Sequence, residues 1–364
     1  MSPQFEIVAI ASLVAMSCSL VGVFLVIRKL SMISDAISHT VLLGIVIVFL
    51  ITKQVNSPWM FVGAIIMGLI TVGMIQTIKN TDLVSEEASV GLVFPFLFSI
   101  AIVLISRYAG SVHLDTDAVL LGEIAFAPLD RIILLGISLP KALVSALAVF
   151  TVNALLIKLF FKELKLTSFD VILATTLGFS PILLNILLMS LVSLTAVSSF
   201  SAVGSILVIA FMIGPALTAN LITHDLKRIV KLSMLISILN VVIGYQLARI
   251  LDVSIAGSMA LVTGLVFTIV FMVSPESGYI TRKLQMRKQK RVFQQSVILF
   301  YIEEHPNLSF QELMNHVNVG ERFLKQTIID FRNKQYLIGD ESTYALTDNG
   351  IARVRELENS IFER

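Results

Sequence analysis

Nine stretches of this chain stay apolar for about 20 residues each, and that repetition decides the solvent in which it folds. They fall at 5–27, 30–50, 58–78, 88–106, 140–161, 179–199, 201–222, 229–249 and 255–273. A helix rising about 1.5 Å per residue crosses a hydrocarbon core about 30 Å thick in about 20 residues. Inside lipid the backbone must satisfy its own N–H and C=O groups, so runs of this length read as transmembrane helices. Only 14% of residues are charged, against about a quarter in soluble domains. The short join at 199–201 leaves room for one broken or tightly turned pair.

Charge placement sets the expected orientation. No lysine or arginine precedes Arg28, whereas a secretory signal needs a basic start. The first run therefore reads as a retained span with its N-terminus outside. Arg28, Lys29, Lys79, Lys158, Lys162, Lys165, Lys227, Arg228 and the basic run 282–291 then fall inside. Lys53, Arg107, Arg131, Lys141 and Arg249 fall outside. The excess inside agrees with the positive-inside rule and gives a cytoplasmic C-terminus. The single Cys18 excludes an internal disulfide framework and a multi-thiolate metal site.

Two segments depart from the span pattern. Residues 108–131 are too polar to cross and are expected outside, as a short or re-entrant helix. Residues 165–181 are expected inside, with Thr167 or Ser168 capping a short helix and Gly178 ending it. Beyond the basic run the composition turns soluble. An amphipathic helix, a short helix, a longer helix, a hairpin and a final helix follow, in winged-helix order. The expected fold is an all-α polytopic membrane protein of about nine spans plus a small cytoplasmic α+β winged-helix domain. Its boundaries are a transmembrane domain at 1–280, a basic juxtamembrane linker at 281–291 and the winged helix at 292–364.

The polar residues inside the spans are where chemistry can reside. Asp35 and His39 stand four apart in "RKLSMISDAISHTVLLG", on one face of a helix. They lie about 9 and 15 Å beyond Lys29, which puts the histidine near mid-membrane. Burying an aspartate there costs roughly 2.5–3.5 kcal/mol on insertion scales, so something must offset it. Three readings stay open: a structural pair, a proton relay, or ligands for Mn²⁺, Zn²⁺ or Fe²⁺. One helix supplies two ligands, and symmetric pairing of subunits would supply four. Ser34 and Ser38 are expected to widen the polar face. His113, Asp115, Asp117 and Glu123 form an outer polar cluster, either a metal-admitting funnel or a solvated loop. Asn153, Asn185, Asn240 and Gln246 are expected to join helices by hydrogen bonds. No G-x-x-x-x-G-K-[ST] loop occurs, so the chain is not expected to be an enzyme, and ATP hydrolysis would need a separate subunit.

Five ordered motifs carry a family resemblance: "RKLSMISDAISHTVLLG", "EEASVGLVF", "VHLDTDAVLLGEIAF", "FDVILATTLG" and "AVGSILVIAFMIGPALTANL". Together the chain resembles the membrane permeases of bacterial ABC-type manganese, zinc and iron importers. The resemblance implies that Asp35 and His39 line the metal path at a permease interface. It implies that Phe169, Asp170, Ala174 and Gly178 belong to a cytoplasmic coupling helix docking on the ATPase. The stretch with His113, Asp117 and Glu123 resembles the manganese-type branch, which favours Mn²⁺. The partners implied are a cytoplasmic ATPase subunit, a second identical or paralogous permease and an extracellular metal-binding protein. The metal is cargo, and no permanently bound cofactor is implied. "DVSIAGSM" keeps Gly257 but lacks the proline of the family's turn before the last span.

The C-terminal part resembles the DNA-binding module of metal-dependent regulators. Residues 292–364 hold seven basic and eleven acidic side chains, the wrong sign for attracting phosphates. That disfavours DNA as a partner and favours a regulatory or protein-contact role. The run 282–291 instead suits anionic membrane lipid, at about 1 kcal/mol per charge. A membrane metal sensor or a proton-coupled carrier are the alternatives to a permease.

Overall fold

The computed structural model describes residues 2–54, 57, 59–108, 124–134, 137–274, 278–317, 319–340 and 343–362. The chain divides into two compact units, Met1–Gly278 and Tyr279–Arg364. The first unit opens with α1 (Pro3–Ile27), α2 (Ser31–Thr52), α3 (Trp59–Lys79) and α4 (Glu86–Tyr108). Strands β1 (Arg131–Leu134) and β2 (Ile137–Pro140) then pair antiparallel, with Arg131 opposite Pro140. Seven helices follow: α5 (Lys141–Leu159), α6 (Phe161–Phe169), α7 (Val171–Thr176), α8 (Pro181–Val203), α9 (Ser205–Ile222), α10 (Leu226–Leu251) and α11 (Ile255–Val273). Among the described residues nine helices, α1–α5 and α8–α11, are long and apolar enough to span a membrane.

The hairpin departs from an all-α membrane part. Ile132, Ile133 and Ile137 are β-branched and favour extended backbone. Proline at 140 then opens α5 as its N-cap residue. The expected break near 199–201 lies at Gly204 instead. Its φ of 81° belongs to the left-handed region that glycine enters freely, so α8 runs on until that residue is reached.

Helix α1 is the hub, packed against α5, α8, α9 and α10. Lipid tails are as apolar as leucine, so close contact between helices depends on small residues and interhelical hydrogen bonds. A Cβ at Gly22 would fall on the carbonyl oxygen of Met212, so α1 and α9 touch backbone to backbone. Gly44 and Gly63 do the same for α2 and α3. Beside them the Thr40 and Thr71 hydroxyls meet at 2.7 Å. The Asn153 amide donates to Ser17 Oγ at 2.8 Å and Thr195 Oγ1 at 2.7 Å, tying α5 to α1 and α8. Asn240 is buried with no side-chain partner among the described residues, and Gln246 is exposed, so neither joins helices as expected.

Arg131 clamps the hairpin to α1. Its Nη1 and Nη2 donate to the two carboxylate oxygens of buried Glu6 at 3.0 and 3.2 Å. Nε donates to Ser138 Oγ at 2.9 Å, across the two strands. The hairpin therefore sits at the N-terminal end of α1.

The second unit contains α12 (Tyr279–Glu304), α13 (Phe310–His316), α14 (Glu321–Asn333), β3 (Leu337–Asp340), β4 (Thr343–Leu346) and α15 (Asp348–Phe362). It has its own core around Ile298, Leu313, Leu324, Phe331, Tyr344 and Val354. The basic run 282–291 lies inside α12, continuous with the helix that contributes Ile298 and Ile302 to that core. Ser309 and Glu312 form a reciprocal capping box at the start of α13.

Candidate metal path and coupling segment

The chain reverses between α1 and α2 through a tight closure. Leu30 N–H donates to Leu25 O at 2.8 Å, and Lys29 takes a left-handed φ of 61°. Helix α2 starts one residue later and carries Asp35 and His39 on its less buried stripe, in line with Met32. The Asp35 side chain is 50% exposed and that of His39 25%. His39 Nε2 lies 3.6 Å from Asp35 Oδ1, within ion-pair range and beyond hydrogen-bond length. The carboxylate and the imidazole thus face one another without consuming one another.

Two aromatic rings of α4 hold the imidazole. Its centroid lies 5.0 Å from that of Phe94 and 5.8 Å from that of Phe98, the latter edge to face. Nδ1 is buried and has no hydrogen-bond partner among the described residues. An oxygen and a nitrogen donor on one open stripe can bind a borderline divalent cation or pass a proton. Two donors do not complete a coordination shell. Among the described residues no group of three His, Cys, Asp or Glu is placed to hold a metal.

Ser34 and Ser38 do not widen this face. Both are buried, and their hydroxyls donate back to Ser31 O at 2.7 Å and Ser34 O at 2.8 Å. His113, Asp115, Asp117 and Glu123 lie outside the described residues. Glu86, in the first turn of α4, makes an ion pair with Lys79.

The segment 165–181 folds as the end of α6, then α7, then the start of α8. The cap of α7 is Asp170, whose Oδ1 accepts from Leu173 N–H at 2.8 Å. Thr167 and Ser168 sit instead in the last turn of α6. Gly178 follows α7 with φ 85°, as its position suggested. Ala174 is buried, while Phe169, Val171, Ile172, Leu173, Leu177 and Phe179 are exposed. They leave several large apolar side chains exposed on and beside a short helix.

One residue of this region was legible only as a topological marker. Arg28, the C-cap of α1, reaches Thr167 Oγ1 at 2.8 Å, Ser168 Oγ at 2.9 Å and Asn185 Oδ1 at 3.5 Å. Burial pulls its guanidinium below the ordinary arginine value. A basic residue flanking a span reads first as an orientation signal, and nothing in its spacing points to acceptors 140 residues away.

Residues 4–274, all of the spanning bundle, match the ABC 3 transport family. The chain belongs to that family. A zinc transport system membrane protein, TroD of Treponema pallidum, is 46% identical over 285 residues, covering 78% of this chain and 78% of its own. A manganese transport system membrane protein, MntD of Bacillus subtilis, is 42% identical over 294 residues, covering 80% of this chain and 99% of its own. Among solved structures, PsaBC from Streptococcus pneumoniae in complex with Fab aligns with TM-score 0.65 at 28% identity, over 78% of this chain and 96% of that one. As a member of this family the chain is a multi-span protein of a bacterial cell membrane. The family match stops before the second unit begins.

Proposed function

We propose that this chain is the permease subunit of an ATP-driven importer carrying a divalent transition metal into the cytoplasm, with Mn²⁺ preferred over Zn²⁺ and Fe²⁺. The observation carrying this reading is the Asp35–His39 donor pair on the open stripe of α2, in a chain of the ABC 3 transport family. Relatives named for zinc and for manganese transport favour a permease over a metal sensor or a proton-coupled carrier. A half-exposed carboxylate facing lipid costs roughly 2.5–3.5 kcal/mol, so the stripe suits an interface with a second permease, identical or paralogous. Two such stripes supply two carboxylates and two imidazoles. That oxygen content suits Mn²⁺ better than a nitrogen and sulfur set would. Neither subunit holds the cargo alone, which keeps it releasable.

In this reading the N-terminus is outside and the C-terminus cytoplasmic. His113, Asp117 and Glu123 admit metal from an extracellular binding protein. Phe169, Asp170, Ala174 and Gly178 belong to the segment that docks on a separate ATPase subunit, with the exposed Ile172 and Leu173 as its contact. ATP binding there moves α7, and the motion switches access at Asp35 and His39. The division is a permease at 1–280, a basic juxtamembrane stretch at 281–291 that meets anionic lipid, and a winged-helix domain at 292–364. The order of α12 to α15 with the β3–β4 hairpin supports the last assignment, and its acidic balance favours protein contacts over DNA.

Reconstitution with the ATPase subunit tests the reading. Radiolabelled Mn²⁺ is expected to enter proteoliposomes only with ATP and the ATPase present. Uptake driven by a proton gradient without ATP would contradict it.

A further inference from the structure

We propose that Arg28 is a positioning residue of the transport cycle, a three-pronged staple through which movement of α7 reaches the helix carrying Asp35 and His39. The inference rests on the reading of α7 as the ATPase-docking segment.

The acceptors of Arg28 bracket that segment. Thr167 and Ser168 precede α7 and Asn185 follows it, so one guanidinium grips both limbs of the α6–α7–α8 turn. The grip is oriented. Thr167 Oγ1 donates its own hydrogen to Glu163 O at 2.9 Å, and Ser168 Oγ donates to Leu164 O at 2.6 Å. With their hydrogens committed to the α6 backbone, both hydroxyls turn lone pairs toward Arg28. Three neutral acceptors in three directions fit the planar fork of a guanidinium, which a single ammonium cannot reproduce. Charge neutralisation alone would be served better by a carboxylate, and none of the three acceptors is one.

The other side of Arg28 is the metal-path helix. Arg28 stands three residues before Ser31, where α2 begins, and Asp35 lies four residues further, about 6 Å along the axis. Between them is the closed turn at Lys29, which transmits displacement because its backbone is hydrogen-bonded on both sides. A shift of α6 and α8 relative to α1 therefore acts on α2 at its base.

The test uses the complete transporter in proteoliposomes, with Mn²⁺ uptake and ATP hydrolysis measured in the same vesicles. In Arg28→Lys the metal moved per ATP is expected to fall at least about fivefold, the low end of typical coupling between sites. Thr167→Val combined with Ser168→Ala leaves Arg28 in place and is expected to give the same loss, with no further loss when Arg28→Lys is added. A wild-type ratio in both variants, or uptake and hydrolysis falling in proportion, would overturn the proposal. If Arg28→Lys fails to assemble, the hydroxyl variant alone decides. Ile172→Asp separates the two readings. If it still binds the ATPase, the docking assignment fails. If it loses the ATPase while Arg28→Lys keeps its ratio, only the staple fails.

Discussion

The imidazole of His39 is held by carbon more than by hydrogen bonds. Phe94 and Phe98 fix its plane from α4, and Asp35 stays near enough to share a cation without closing a hydrogen bond. Phe94→Ala is expected to loosen the ring and weaken metal recognition by about 1 kcal/mol, roughly fivefold in the KM for Mn²⁺ uptake, with kcat less affected. That the aspartate and histidine face one another was readable because residues four apart share one face of a helix. Their aromatic support was not, since phenylalanine in a span is unremarkable until the helix opposite is known. Ser34 and Ser38 show the converse: hydroxyls next to that pair in sequence turned inward to their own backbone.

Among the elements, contact at glycine sets how the helices close, and an ion pair to the buried Glu6 carboxylate fixes the hairpin to α1. Gly22→Leu is expected to force α1 from α9 and destabilise the detergent-solubilised protein by about 1–3 kcal/mol, read as a lower Tm. Arg131→Ala leaves the Glu6 carboxylate buried without its partner and is expected to cost about 3–5 kcal/mol, with Glu6→Gln in the same chain recovering part of it. The spans were legible because membrane thickness fixes their length. The β1–β2 hairpin was not, because 131–140 is short and apolar enough to read as an approach to the next span. Thr167 and Ser168 were read as caps because any hydroxyl before a helix can cap. Asp170 stands at the N-cap position itself and takes the bond, which frees those hydroxyls to accept from Arg28.

In the second unit the Ser309 backbone N–H and hydroxyl hold the Glu312 carboxyl below its usual range. A depressed folded-state value means the capping box stabilises α13 above the ordinary glutamate pKa and loses that contribution as pH falls through the folded one. Hydrogen exchange at Phe310–His316 is expected to quicken on acidification, and Ser309→Ala, which keeps the backbone N–H bond to Glu312 and removes the hydroxyl one, to weaken that pH dependence.

For the whole molecule, the family match covers the first of two compact units and ends before the second. MntD of Bacillus subtilis is matched over 99% of its length by 80% of this chain. Removing Tyr279–Arg364 is expected to leave ATP-dependent uptake in place and to change its response to cytoplasmic metal. Loss of all uptake would assign the second unit to the transport machinery. The order of helices and the hairpin in this unit was readable from amphipathic pattern and turn residues. The continuity of its first helix through the basic run was not, because six basic residues within ten resemble a linker until the helix is seen to run through them.

The most direct test of the account is uptake of radiolabelled Mn²⁺ by cells carrying the complete transporter with Asp35→Asn or His39→Ala. Assembly with the ATPase is checked for each variant. The account predicts that both variants assemble and lose uptake. Normal uptake in either assembled variant would contradict a metal path built on this pair.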